Sequence, residues 1–264
     1  MAPGVHRRTR QPRDAGDGAR EARGPVHRRG ELNLSDTPPA PAAGRPASAL
    51  LLGATGLVGG HVLRLLLDDP SYERVVVLGR RPTGQRHPKL TEHVAPLEGM
   101  AEHAGAFAVD DVFCCLGTTL RTAGSREAFS AVDLDAVALS ARLAAEQGAT
   151  RYLLVTSAGA GVKSPFFYSR VKGQAEEAVT SLPFGSTVIL RPSQLLGQRG
   201  ERRPVEAVAQ RVMSALGPAF VGPLRRYRAI DAAVVARAMV RLAKQAPPGV
   251  RVVESDEIQE IGGA

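Results

Sequence analysis

The chain has 264 residues, a formal net charge of +8 and a pI near 10.2, with 44% hydrophobic and 4% aromatic residues and no tryptophan. This suits one large domain or one domain plus an extension, with a core built mainly from Ala, Val and Leu. The two cysteines, Cys114 and Cys115, are adjacent. Neighbouring strand residues point to opposite faces, so they neither share a metal nor form a disulfide framework, which suits a reducing interior. No run of about 18 apolar residues is present, so no membrane span is expected.

Residues 1–46 hold much of the positive charge, in Arg7, Arg8, Arg10, Arg13, Arg20, Arg23, Arg28 and Arg29. With its prolines, glycines and few large apolar residues, this segment buries too little surface to offset its ordering entropy, and it is expected to be a disordered basic extension. It lacks the apolar centre of a secretory signal. Asp14, Asp17, Glu21, Glu31 and Asp36 argue against an organelle transit peptide, so a cytoplasmic location is expected. No aromatic residues stand there to stack on bases, which disfavours a nucleic-acid-binding arm.

From Ser48 the pattern changes. Ala49-Leu50-Leu51-Leu52 reads as a strand buried on both faces. It runs into Gly53-Ala54-Thr55-Gly56-Leu57-Val58-Gly59, followed by apolar residues at helical spacing to Leu67 and a stop at Asp68-Asp69-Pro70. Arg74 to Leu78 is a second buried strand, and Asp111 to Leu116 another. Ser125 to Gln147 is expected to be one helix, capped by Ser125 and stopped by Gly148. Tyr152 to Thr156 is a strand, Phe166 to Leu182 a helix, and Thr187 to Leu190 a strand ended by Arg191-Pro192. Residues 204–216 and 231–245 read as helices, with Asp231 as a candidate N-cap, and Val250 to Val253 as a late strand. Strands alternating with helices give βαβ units, hence an α/β fold with a doubly wound parallel sheet and helices on both faces over residues 47–264.

The glycine-rich turn between a buried strand and a helix lets the backbone approach a pyrophosphate, which the helix N-terminus attracts. Gly53, Thr55, Gly56, Leu57, Val58 and Gly59 are therefore cofactor candidates. About 20 positions beyond the glycines, an NAD site places an acid on the ribose 2′-hydroxyl. Here that place reads Leu78-Gly79-Arg80-Arg81, and two cations suit a 2′-phosphate, so NADP(H) is expected. Downstream, Tyr168 and Lys172 stand four apart on one helix face, after Ser157 at the end of a strand. A lysine beside the phenol favours the phenolate, which exchanges a proton with a carbonyl oxygen, and Ser157 holds that oxygen.

Together, Gly53-x-x-Gly56-x-x-Gly59, Ser157, Tyr168-x-x-x-Lys172 and Arg191-Pro192 resemble the short-chain dehydrogenase/reductase superfamily, in its atypical or extended branch. Leu78-Gly79-Arg80-Arg81, Cys114-Cys115-Leu116-Gly117-Thr118-Thr119 and Tyr168-Ser-Arg-Val-Lys172-Gly173 resemble more closely the Tat-interactive protein family of NADPH-binding oxidoreductase-like proteins. The resemblance spans about Ala49 to Leu242. It implies a Rossmann fold, bound NADP(H), catalytic Ser157, Tyr168 and Lys172, and contact of Tyr168 and Lys172 with the cofactor, Lys172 at the nicotinamide ribose. It also implies that Leu116-Gly117-Thr118 lines the cofactor, that Pro192-Ser193 lies near the nicotinamide and that Arg191 contacts the cofactor. The chain departs from its relatives in having Pro96-Leu97 after the third strand, where many have an adenine-binding Asp, so that contact comes from backbone or another side chain, with Leu97 a candidate. No metal site is implied, and the small C-terminal region carries no substrate signature. Expected partners are a small-molecule substrate and no nucleic acid, with monomer and homodimer both open.

Three functions fit these residues: an NADPH-dependent reductase of a small carbonyl compound, a non-catalytic NADP(H)-binding regulator or assembly factor, and a nucleotide-sugar epimerase or dehydratase. The intact trio favours the first, and the small C-terminal region argues against the third. Cys114 and Cys115 read as core residues, Arg225, Arg226 and Arg228 as a solvated basic run, His61 as a surface or interface residue, and Glu176 and Glu177 as a wet helix face.

Overall fold

A computed structural model describes residues 46–196, 228–245 and 247–264. The expected disorder of the N-terminal extension, the helix at 204–216 and the basic pair Arg225 and Arg226 lie outside the described residues, apart from Pro46.

Seven parallel strands form one sheet: β1 (Ala47–Leu52), β2 (Tyr72–Gly79), β3 (Leu90–Val94), β4 (Asp111–Cys114), β5 (Arg151–Val155), β6 (Ser186–Arg191) and β9 (Gly249–Glu254). Their spatial order is β3-β2-β1-β4-β5-β6-β9. The order reverses between β1 and β4, the switch point at which doubly wound sheets bind ligands. Two short strands, β7 (Leu195–Leu196) and β8 (Ile230–Asp231), pair separately.

Each central strand is apolar and buried on both faces, as a covered parallel sheet requires. On one face pack α1 (Leu57–Asp68), α6 (Ala232–Gln245) and α7 (Ser255–Gly263), through Val62, Leu66, Val235, Met239 and Ile258. On the other lie a 3₁₀ segment (Leu97–Phe107), α4 (Ala136–Glu146) and α5 (Phe167–Thr180), through Met100, Phe107, Val137, Ala144 and Val179. The expected α/β architecture with helices on both faces is the one observed. Asp231 accepts a hydrogen bond from the Ala233 amide at 2.7 Å, as its N-cap role requires.

The predicted single helix at 125–147 differs. Ser125 caps it as expected, accepting from the Ala128 amide, but α3 (Arg126–Ser130) passes through a π-helical turn at Ala131–Asp135 before α4 begins. Each residue was compatible with continuous helix, so periodicity did not show the extra residue of a π turn. That turn draws Asp133 into full burial.

The N-terminal end of the sheet is braced by polar contacts. Asp111 is fully buried, accepts from Tyr72 Oη at 2.6 Å and pairs with Arg151. Burial pushes the Asp111 carboxyl above the usual carboxylate range, and burial also raises the Tyr72 phenol. The opposite, C-terminal end carries the turns described next.

Candidate functional site

The cleft opens where β1 and β4 diverge. Gly53 adopts φ +80°, and a methyl there would lie 2.6 Å from the Cys115 carbonyl carbon, so only glycine lets the turn close against β4. The Gly59 α-carbon packs against this same turn: a methyl would lie 2.7 Å from the Gly53 carbonyl carbon. Gly53 and Gly59 thus fix α1 directly against the end of β1. The helix starts at Gly56 with no side-chain cap and no acid in its first turn, which leaves its amides directed at the cleft. A dinucleotide fits this arrangement, since a diphosphate supplies the acceptors that an uncapped first turn lacks.

The cleft has a volume of about 910 Å³ and is lined by Gly53, Thr55, Gly56, Leu57, Leu97 and Leu116-Gly117-Thr118. It also takes in Arg64, Arg80, Arg81 and Arg121, and no carboxylate among the described residues lines it. Val58 and Gly59 do not face it; they are buried in the helix–sheet contact. Leu97 occupies the place where an acid was noted as missing. His61 lines the cleft too, and its Nδ1 accepts from Arg64 at 2.8 Å. Partial burial, then the Arg64 charge, lowers its pKa.

Lys172 is buried, and its Nζ lies 2.7 Å from Asp133 Oδ1 as an ion-pair contact. The second Asp133 oxygen accepts from the Thr118 amide at 2.9 Å. Tyr168 is half-buried, its ring 5.3 Å from that of Phe129. The Ser157 hydroxyl is buried with no hydrogen-bond partner among the described residues. It sits just beyond β5, where the Ala158 amide donates to the Pro192 carbonyl at 2.8 Å, so Pro192 and the Ser157 turn are tied together. Ser157, Tyr168, Lys172, Arg191, Pro192 and Ser193 do not line the cleft itself. Lys172 is linked to it through Asp133 and Gly117; a methyl on Gly117 would lie 3.4 Å from Nζ.

Arg191 has a different duty from the one the resemblance implied. Its Nη2 and Nε donate to Glu176 at 2.6 and 3.0 Å, and its Nη1 to Glu254 at 3.1 Å. The Glu176 hydrogen bonds raise its pKa further. The guanidinium is a strut joining β6, α5 and β9. Glu176 corrects the reading of a wet helix face: it is buried and also accepts from Thr156 Oγ1 at 2.6 Å, while Glu177 is exposed. Helical spacing hid this, because the partner arginine is 15 residues away in sequence. Ser193 likewise turns to structure: its hydroxyl donates to the Arg228 carbonyl, and its amide donates to Ser255 Oγ. Cys114 is fully buried, as expected, whereas Cys115 is only partly buried and lines the cleft. Asp133 was missed altogether; the one available signal was an acid at a position that the helical pattern turned inward.

A parallel sheet in this strand order, a glycine turn at its switch point and an uncapped helix aimed at a basic cleft define an NAD(P)-binding Rossmann protein. Residues 53–246 match the family described as NAD(P)H-binding, and the chain belongs to it. Among curated relatives, "Protein fmp52, mitochondrial" of Emericella nidulans is 35% identical over 225 residues, covering 83% of this chain and 96% of that protein. "Protein HTATIP2" of Rattus norvegicus is 34% identical over 220 residues, covering 81% and 89%. The fold is similar to that of the Bordetella bronchiseptica enzyme WbmG in complex with NAD, with TM-score 0.60, 18% identity and coverage of 84% and 78%. The cytoplasmic location expected above is withdrawn, because relatives from Emericella nidulans, Aspergillus fumigatus and Coccidioides immitis are named mitochondrial. That expectation rested on five acidic residues in the extension, and charge composition alone does not decide an address.

Proposed function

We propose that the protein is an NADPH-dependent oxidoreductase that reduces a small carbonyl compound. The observation that carries the cofactor choice is the cleft lining: Arg64, Arg80, Arg81 and Arg121, with no carboxylate among the described residues. An acid at the end of β2 would accept a ribose 2′-hydroxyl and repel a 2′-phosphate, and Arg80 and Arg81 stand there instead. Guanidinium groups suit a phosphate dianion because each offers parallel N–H donors.

The bound dinucleotide would supply the hydride. Tyr168 would donate the proton to the carbonyl oxygen, and Ser157 would orient that oxygen through its unpartnered hydroxyl. Lys172 would hold the nicotinamide ribose. A second reading, NADP(H) binding without turnover, draws support from the commitment of Lys172 to Asp133 and from the absence of the trio from the cleft lining.

The test is Arg80→Ala combined with Arg81→Ala, with NADPH and NADH titrated by calorimetry. Losing two charge-assisted contacts at about 1.5 kcal/mol each weakens NADPH by roughly 100-fold. NADH, which has no 2′-phosphate, stays within about threefold. Equal losses for the two dinucleotides would remove the 2′-phosphate assignment.

A further inference from the structure

Among the described residues, three buried side-chain polar atoms lack a hydrogen-bond partner: Asp133 Oδ1, Ser157 Oγ and Arg228 Nε. Asp133 Oδ1 faces the Lys172 ammonium, which meets its need. The other two have no such relief, and none of the ion pairs among the described residues uses Arg228. Buried polar groups are nearly always paired in folded proteins, so two open ones call for an explanation. The sequence alone placed Arg228 in a solvated basic run; the residue is instead half-buried and its Nε fully so.

Both open groups are tied to one turn, Pro192-Ser193, just beyond β6. The Pro192 carbonyl accepts from the Ala158 amide at 2.8 Å, next to Ser157. The Ser193 hydroxyl donates to the Arg228 carbonyl, and the Ser193 amide donates to Ser255 Oγ at 3.1 Å. The Ile230 amide donates to the Gln194 carbonyl at 3.0 Å, which fixes the chain after Arg228 to the same stretch. A hydroxyl and a guanidinium N–H, each without a partner among the described residues, therefore stand on backbone segments held together at the C-terminal ends of β5 and β6.

We propose that Arg228 binds an oxyanion, a carboxylate or a phosphate, carried by the same carbonyl compound whose carbonyl oxygen Ser157 holds. The side of a guanidinium presents Nε–H and one Nη–H in parallel, which matches two oxygens of such an anion. The anion supplies the counter-charge and the acceptor for Nε, and the carbonyl oxygen supplies the partner for the Ser157 hydroxyl. This inference rests on the reductase reading for the part Ser157 plays; the anion site at Arg228 does not.

The experiment follows NADPH oxidation by the full chain and by Arg228→Gln and Arg228→Lys with two matched pairs, pyruvate against methyl pyruvate and glyceraldehyde 3-phosphate against glyceraldehyde. The wild type is expected to favour the anionic member of one pair by about 30-fold in kcat/KM, and the pair that shows it identifies the anion as carboxylate or phosphate. Arg228→Gln is expected to bring that preference to within about threefold by raising KM for the anionic member, and Arg228→Lys, a point charge without parallel donors, to restore it only in part. General attraction by the cleft arginines would leave the preference intact in Arg228→Gln, and that result would overturn the proposal. Equal losses for charged and neutral members would mark a structural role and also overturn it. A second measurement needs no turnover: oxamate and inorganic phosphate are titrated by calorimetry into wild type and Arg228→Gln with NADP+ in excess. One of the two probes is expected to bind the wild type and to weaken by about 30-fold in the variant. If that holds while no carbonyl is reduced, the reductase reading falls and the anion site stands. If neither probe shows binding that depends on Arg228, the proposal is overturned.

Discussion

Gly59→Ala isolates the contact between α1 and the end of β1. The added methyl would lie 2.7 Å from the Gly53 carbonyl carbon and 3.1 Å from Ala54 Cα, both backbone atoms that no rotamer change can clear. The helix must therefore retreat by several tenths of an ångström or more, and overpacking of this kind costs about 1–3 kcal/mol. Better helix propensity returns at most about 1 kcal/mol, so the net loss is about 1–2 kcal/mol. For a domain of this size that lowers the melting temperature by about 2–8 °C. The same retreat draws the first-turn amides away from the diphosphate, and NADPH affinity falls by roughly tenfold. The control is its neighbour: a methyl on Gly60 meets nothing nearer than the Ala54 oxygen at 3.6 Å. Gly60→Ala is expected to melt at or slightly above the wild-type temperature. Differential scanning calorimetry and NADPH titration on the three proteins check this. If Gly59→Ala melts no lower than Gly60→Ala, the claim that this glycine sets the helix position is refuted.

Two other outcomes follow. Tyr168→Phe is expected to lower NADPH oxidation by at least about 100-fold with cofactor affinity within threefold, since only the proton donor is lost; undiminished turnover in steady-state assays would remove Tyr168 from the reaction. Glu176→Gln leaves the half-buried Arg191 strut with Glu254 as its one remaining described carboxylate, and the expected cost of about 2 kcal/mol appears as a lower melting temperature with NADPH affinity unchanged. A tenfold affinity loss at an unchanged melting temperature would return Arg191 to the cofactor.

The central strands were legible in the sequence because each is a short apolar run, and α1 because its spacing follows directly from the glycine turn. Strand β3 was not read from its own residues. At the sheet edge, Leu-Thr-Glu-His-Val is only partly buried, so neither a continuous run nor clean alternation marks it. The cleft was readable because much of its lining comes from two local segments, at 53–57 and 80–81. The polar networks were not, because their partners meet only through the fold: Glu176 finds Arg191 across an element boundary, and Asp133 reaches Lys172 through a helical irregularity. Arg191 shows the hazard of carrying a role by motif, since a residue in the expected place is spoken for by two carboxylates.

The position of β9 bears on how the molecule is made. This strand, last in chain order, completes the sheet by pairing with β6 from Ser186 to Arg191. During synthesis, β1 through β6 emerge first, and until β9 follows, β6 presents an open row of amides and carbonyls to the cell. Nascent chains stalled short of residue 249 would carry that unprotected edge, which marks them as substrates for chaperone capture or self-association.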